Sequence, residues 1–158
     1  MTDATPPLRL YGMRGGGSAI VELMLVAAGI PFERVDLEWE DLGPGSATLR
    51  DLNPLGQIPT LILEDRSVLT ESVAITLWIG DRSPTSGIVP GADEPNRATF
   101  LRWLAFLVAA VYPTFTYGDV PNRWVQSPDA AKQLRASTDA WRERLWKQVN
   151  LACAANPC

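Results

Sequence analysis

Histidine is absent from the 158 residues, and cysteine occurs only as Cys153 and Cys158, both within the last six positions. Without histidine no Ser-His-Asp or Cys-His arrangement can form. Neither cysteine belongs to a CxxC pair, which removes the dithiol–disulfide reaction and leaves no ligand cluster for zinc or haem. An excess of basic charge is missing too. Fourteen Lys and Arg face 18 Asp and Glu, a net charge of -4, so a nucleic-acid partner has little support. Met1–Pro7 shows no basic-then-apolar pattern, hence no signal peptide is read there. No apolar run reads as long enough to span a bilayer. The expectation is a cytoplasmic protein with no metal and no membrane partner.

What is there is ordinary for a globular chain: 46% hydrophobic residues and six tryptophans, which suit a filled core. The length fits one medium domain or two small ones. Leu8–Tyr11 alternates and predicts a first strand. A break at Gly12–Gly17 follows, then a helix capped by Ser18 and stopped by Gly29. Pro31–Leu37 alternates again. Strand, helix, strand in this order predicts a right-handed crossover and a parallel pair. A short helical piece is expected near Ala47–Leu52. Thr60–Leu63 and Ser67–Leu69 read as a hairpin, and Ser72–Ile79 as a helix. The pattern is βαβ followed by ββα over residues 1–82.

Residues 83–93 read as a linker by composition, and 94–158 as an all-α region of two long helices. The first, with Asp93 as its cap, carries Phe100, Leu104, Leu107 and Val111 on one face, and Pro113 should kink or interrupt it. The second starts at Ser127-Pro128-Asp129, which supplies cap, first-turn proline and an acid beside the dipole. Its stripe is Leu134, Thr138, Trp141, Leu145 and Val149. Two helices are thin for a core of their own. Trp141, Leu145 and Trp146 are therefore candidates for a partner surface, with packing on the first domain as the alternative.

The chemistry concentrates between Asn53 and Ser72. Asn53-Pro54 and Gly56 signal turns, and Pro59 stands just before a strand, where its missing N–H is tolerated. An Ile58–Pro59 peptide is also a place where cis is least costly. A cis bond there would turn the N–H and C=O of Ile58 outward, ready to pair with the backbone of a small peptide. Glu71-Ser72 puts a carboxylate and a hydroxyl at a helix start, where N–H groups are unpaired and anions are favoured.

The runs Asn53-Pro54-Leu55-Gly56-Gln57-Ile58-Pro59-Thr60-Leu61 and Thr70-Glu71-Ser72-Val73-Ala74-Ile75 resemble the glutathione-binding half of the glutathione transferase family. The resemblance implies a thioredoxin-like domain with a cis-proline before the third strand, followed by a helical domain that is incomplete relative to the family. It implies glutathione as co-substrate, an apolar electrophile as second substrate, and a homodimer. Ile58 would contribute the backbone pair to the cysteinyl part, with Pro59 positioning it and Gln57 in contact. Glu71 would take the γ-glutamyl amine, and Ser72 its carboxylate. Trp39 is a candidate for the glycyl carboxylate.

A glutathione thiol needs help to ionise, since a free thiol titrates near about pH 8.5. Tyr11 is one candidate donor. It lies eighteen residues before Gly29, a spacing similar to that of the catalytic tyrosine in the alpha, mu, pi and sigma classes. The plain alternative is a sheet tyrosine in the core. Ser18 is the other hydroxyl, with helix capping as its alternative role. The positions of the family's serine- and cysteine-type residues are taken here by Gly15 and Gly17. That leaves a third possibility, backbone N–H groups of the glycine turn facing sulfur as an anion nest, with Arg14 adding positive potential. Met13, Trp103, Phe106, Tyr112 and Tyr117 are candidates for an electrophile pocket. Two functions stay open: an enzyme that transfers glutathione to an electrophile, or a non-catalytic glutathione-binding scaffold of the same fold.

Overall fold

The computed structural model describes residues 6–155. Cys158 and most of the opening segment lie outside the described residues. The chain divides into two compact units between Phe100 and Leu101.

The first unit is built on four strands, β1 (Leu8–Gly12), β2 (Phe32–Asp36), β3 (Thr60–Ile62) and β4 (Val68–Thr70), in the order β2-β1-β3-β4. β1 and β2 are parallel, as the intervening helix α1 (Ala19–Ala27) requires; β3 runs antiparallel to β1, and β4 to β3. α1 ends where expected. Gly29 has φ +66°, and the Gly29 and Ile30 N–H groups close back on Val26 and Leu25. Helix α2 (Ser72–Arg82) follows β4.

Both faces of the sheet are covered. Leu8 and Leu10 point to one face and pack with Val21 and Leu25 of α1, Leu61 of β3, and Ile75 and Ile79 of α2. Tyr11 lies on the opposite face with Leu37 and Leu49, joined by Val35, Leu42, Leu52, Ile58 and Ile62. The period-two alternation of β1 therefore serves two separate cores. The segment 37–58 that covers the second face contains a 3-10 turn at Trp39–Asp41. Around Ala47–Leu52 it holds hydrogen-bonded turns rather than the expected helical piece. There the Ser46 hydroxyl accepts the Leu49 N–H at 2.9 Å, as an N-cap does, and the Arg50 and Asn53 N–H groups make isolated i to i−4 bonds to Ser46 and Leu49 without continuing into a regular helix.

Residues 83–93, linker-like in composition, pack in this first unit. Ile88 joins the first core, Val89 is 7% exposed, and Gly80 of α2 admits Val89 so closely that a Cβ at Gly80 would lie 2.5 Å from the Val89 Cβ. α3 (Arg97–Phe106) begins four residues after Asp93. Successive turns hold 91–97 instead, and the Glu94 carboxylate accepts the Gly91 N–H at 3.0 Å.

In the second unit, α3 passes through a π-helical turn, Leu107–Val111, into α4 (Tyr112–Asp119). The turn sits immediately before Pro113, where the missing N–H and the ring would otherwise break the i to i−4 ladder. The Thr114 hydroxyl donates to the Val111 carbonyl at 2.6 Å. Helix α5 (Pro128–Ala155) starts as expected, with the Ser127 hydroxyl accepting the Ala130 N–H at 3.2 Å. α4 and α5 pack together through Arg142, whose guanidinium lies 4.2 Å from the Phe115 ring centre and bonds Asp139, and through Arg135, which donates to the Gly118 carbonyl at 2.7 Å.

Two expectations change here. Leu145 is 6% exposed, so it is not a partner-surface residue, whereas Trp141 and Trp146 are exposed at 52% and 40%. The helical stretch Arg97–Asp119 is long and apolar enough, by length and composition, to cross a membrane, contrary to the reading that no apolar run reaches that length. The core helix of a soluble protein meets the same two conditions but is mostly buried, whereas 17% of the apolar window is buried here, with Leu104, Val111 and Thr114 among the buried residues of the stretch.

Candidate functional site

Strand register brings the two halves of the predicted motif together. Thr60 pairs with Thr70 and with Tyr11. Continuing those ladders sets Pro59 and Ile58 alongside Glu71 and Ser72 on one side and alongside Gly12 and Met13 on the other. Three connections thus meet at one end of the sheet: the β1–α1 turn, the loop before β3, and the start of α2.

The loop before β3 is held by Asn53, a residue singled out in the sequence only as half of a turn signal. It is 8% exposed, and its side-chain amide donates to the Gln57 carbonyl at 3.0 Å and to the Thr60 hydroxyl at 3.2 Å. Its Oδ1 accepts the Leu55 N–H at 3.2 Å, and Thr60 Oγ1 donates to the Gln57 carbonyl at 2.8 Å. An asparagine ahead of proline and a threonine opening a strand were the available signals. Gly56, φ +59°, lies directly on Gly43, and the Gly43 N–H donates to the Gly56 carbonyl at 2.7 Å.

With its carbonyl so occupied, Gln57 keeps an exposed side chain. The Ile58–Pro59 peptide is cis. Pro59 is buried, and Ile58 is half-buried with its side chain against the Tyr11 cluster. Among the described residues, no hydrogen bond uses the N–H or C=O of Ile58.

At the start of α2, Glu71 stands in the N-cap position with φ +68° and ψ 116°, a conformation rarely adopted by a residue with a Cβ. Its side chain is exposed and makes no capping bond. Ser72, 5% exposed, follows as the first residue of the helix, and its hydroxyl has no partner among the described residues. A hydroxyl and a strained carboxylate-bearing residue, neither engaged within the chain, sit at the positive end of a helix dipole. Plain capping, the alternative role for this pair, is not what these side chains do.

Of the two hydroxyls considered for sulfur, that of Ser18 is engaged elsewhere. Tyr11 is 8% exposed in the second core, and its phenol lies beside the Arg9 guanidinium, which shares the same strand face. That phenol and the Glu33 carboxylate hold Arg9 above its ordinary value. Ser18, 2% exposed, occupies the N-cap position of α1 without making a capping bond. Its Oγ accepts the Met13 N–H at 3.1 Å and donates to the Met13 carbonyl at 3.4 Å.

The glycine turn between them has Gly15 at φ +75°. Gly16 lies against Ile58, where a Cβ would come 3.0 Å from Ile58 Cδ1. Arg14 is exposed, and Met13 is half-buried next to Gly16. Trp39 is 53% exposed in its 3-10 turn. In the second unit, Tyr112 is half-buried, and burial pushes its phenol above the ordinary value. Tyr117 is 38% exposed and meets Trp124 edge-on at 4.7 Å, while Trp103 and Phe106 form another edge-on pair at 5.3 Å. No group of three or more metal-ligating side chains occurs among the described residues.

Comparison with known proteins points to one family. Residues 18–82 match the family model described as glutathione S-transferase, N-terminal domain. The chain is 42% identical over 151 residues to the uncharacterized GST-like protein YncG of Escherichia coli, covering 95% of this chain and 72% of that protein. It is 31% identical over 113 residues to glutathione S-transferase GST-4.5 of Xanthomonas campestris, covering 68% of this chain and 52% of that one. Among solved structures, a glutathione transferase from Methylococcus capsulatus superposes with a TM-score of 0.75 at 30% identity, over 94% of this chain and 70% of that one. A glutathione transferase homologue from Sulfitobacter, solved with bound glutathione, gives 0.83 at 22% identity, over 90% and 68%.

Proposed function

Since the chain belongs to the glutathione transferase family, we propose that it binds glutathione at the end of the first-unit sheet and presents the thiol to an apolar electrophile. The observation that carries this reading is a pair of unused groups near one end of the sheet: the free N–H and C=O of Ile58, and the hydroxyl of Ser72, which makes no hydrogen bond within the chain. A hydrogen bond between such a group and a charged ligand is worth about 1.5–3 kcal/mol. The cysteinyl backbone pairs with Ile58, as one more strand would. The γ-glutamyl carboxylate takes the Ser72 hydroxyl and the N–H groups of the first turn of α2, and the amine takes Glu71. Gln57 is placed to touch the ligand, and Pro59 positions Ile58.

In the reaction the thiol gives its proton to water. The sulfur then attacks the electrophilic carbon, a C–S bond forms, and the leaving group departs with its electron pair. Met13 is the first-unit candidate contact for the electrophile, and a homodimer in the cytoplasm is the accompanying proposal. Calorimetric titration with glutathione, beside turnover of a chloro-nitroaromatic electrophile, tests both parts. Micromolar to low-millimolar binding with conjugate formation is expected. Absence of any heat or retention on immobilised glutathione would refute the binding itself. A second reading, a glutathione-binding scaffold without turnover, is favoured by one observation: the Ser18 hydroxyl is spent on Met13, and Tyr11 is buried in the second core. Retention without conjugate is its signature.

A further inference from the structure

The direction of the Ile58 N–H is set by the group at the other end of the same peptide, the Gln57 carbonyl. A trans peptide is planar, and its C=O and N–H point to opposite sides of the chain. Gln57 and Ile58 are joined by a trans peptide. Whatever holds the Gln57 carbonyl therefore aims the Ile58 N–H the other way. We infer that Asn53 and Thr60 are positioning residues that clamp this carbonyl from inside the fold, and so turn the Ile58 N–H toward the carbonyl of the ligand's cysteinyl unit. The inference rests on the glutathione-binding reading and names the side chains that aim one half of that grip.

The clamp has two donors. The Asn53 side-chain amide donates to the Gln57 carbonyl at 3.0 Å and to the Thr60 hydroxyl at 3.2 Å, and that hydroxyl spends its single proton on the same carbonyl at 2.8 Å. Both lone pairs of the Gln57 oxygen are thus taken. The Leu55 N–H on Asn53 Oδ1, at 3.2 Å, fixes which end of the amide donates. An asparagine that served the turn alone would need only the Leu55 bond.

Both clamping residues are themselves anchored. Thr60 is fully buried and in register with Tyr11 of β1 and Thr70 of β4. Asn53 donates its own N–H to the carbonyl of buried Leu49 at 2.6 Å. Every buried side-chain nitrogen and oxygen among the described residues has a partner, so the clamp is complete before any ligand arrives. The carbonyl before it, that of Gly56, is taken by the Gly43 N–H at 2.7 Å. Ile58 comes next along the chain, and its N–H and C=O are unused.

Two substitutions loosen the clamp while sparing bulk. Asn53→Asp keeps an acceptor for Leu55, but an ionised carboxylate has no proton for Gln57. Thr60→Val keeps the branched shape and loses the hydroxyl. Calorimetry compares glutathione with an E-alkene isostere of its Cys–Gly amide, which keeps the peptide's shape and offers no carbonyl. The wild-type protein is expected to bind the isostere about tenfold more weakly than glutathione. Each folded variant is expected to bind glutathione about tenfold more weakly, yet to lose no more than about twofold further for the isostere, because the bond to that carbonyl is already misaligned. Thr60→Ser, which retains the hydroxyl, is expected to restore most of the lost affinity. A folded variant with wild-type affinity for glutathione overturns the inference, and so does an isostere penalty as large in the variants as in the wild type. Hydrogen exchange reads the same point without any substitution: the Ile58 N–H is expected to exchange freely in the free protein and to be protected by glutathione but not by the isostere. Protection by both, or in the free protein, also overturns it. Absence of glutathione binding by the wild-type protein would instead sink the reading beneath it.

Discussion

Ser72 and Glu71 show how a side chain idle in the fold can serve a ligand. The Ser72 hydroxyl makes no hydrogen bond within the chain and is not a buried unsatisfied atom, so Ser72→Ala should leave stability nearly unchanged. A charge-assisted bond to a carboxylate is worth about 1.5–3 kcal/mol, so the same change should weaken glutathione binding at least tenfold. Urea unfolding and calorimetry on one preparation check both. Glu71 makes the companion case. Its φ of +68° is a conformation that glycine tolerates. Glu71→Gly should therefore stabilise by about 1 kcal/mol while glutathione affinity falls, since no carboxylate remains to meet the amine. Both residues were legible in the sequence because a carboxylate and a hydroxyl before an apolar helical pattern mark a helix start. The destinations of the Tyr11 and Ser18 hydroxyls were not legible. The first depends on how the second face of the sheet is covered, by Leu37 and Leu49 among others, and the second on the path of a glycine turn.

At the scale of elements, the loop before β3 and the stretch after α2 are held by close backbone approach. Gly80→Ala should gain about 1 kcal/mol from helix propensity alone. Here the new Cβ would lie 2.5 Å from the Val89 Cβ, so the expected result is a lower melting temperature, read by circular dichroism. Gly56→Ala meets both a positive φ and the backbone of Gly43. It should destabilise by more than about 1 kcal/mol and weaken glutathione binding with it, because the same loop carries Ile58. Calorimetry after confirming the fold separates the two losses. Strand and helix positions were readable from period: Leu8–Gly12, Ala19–Ala27 and Pro128–Ala155 lie close to where alternation, Ser18 to Gly29 spacing and the Ser127-Pro128-Asp129 start put them. Residues 83–93 misled because proline, glycine and serine describe a turn-rich path, not whether that path is packed.

For the whole chain, alkaline pH is the informative variable. Burial raises the Tyr112 phenol above its ordinary value of 10.0, so the folded protein holds that proton after the unfolded chain has lost it. Stability is then full below about pH 10 and declines as pH rises through the folded-state value. Denaturant unfolding between about pH 9 and 11 should show this slope, and Tyr112→Phe should flatten it. A slope unchanged by the substitution would assign it to other groups. What the sequence determined unaided was the alternation, the Gly29 stop, the Ser127 cap and the paired motifs at 53–61 and 70–75, because these depend on neighbours a few positions away. Only the tertiary structure decided that Ile58, Ser72 and the glycine turn share one end of the sheet, and that Ser18 turns its hydroxyl to Met13 instead of capping its helix. Those outcomes follow from strand register and from which distant backbone comes within hydrogen-bonding reach, and no local pattern carries that information.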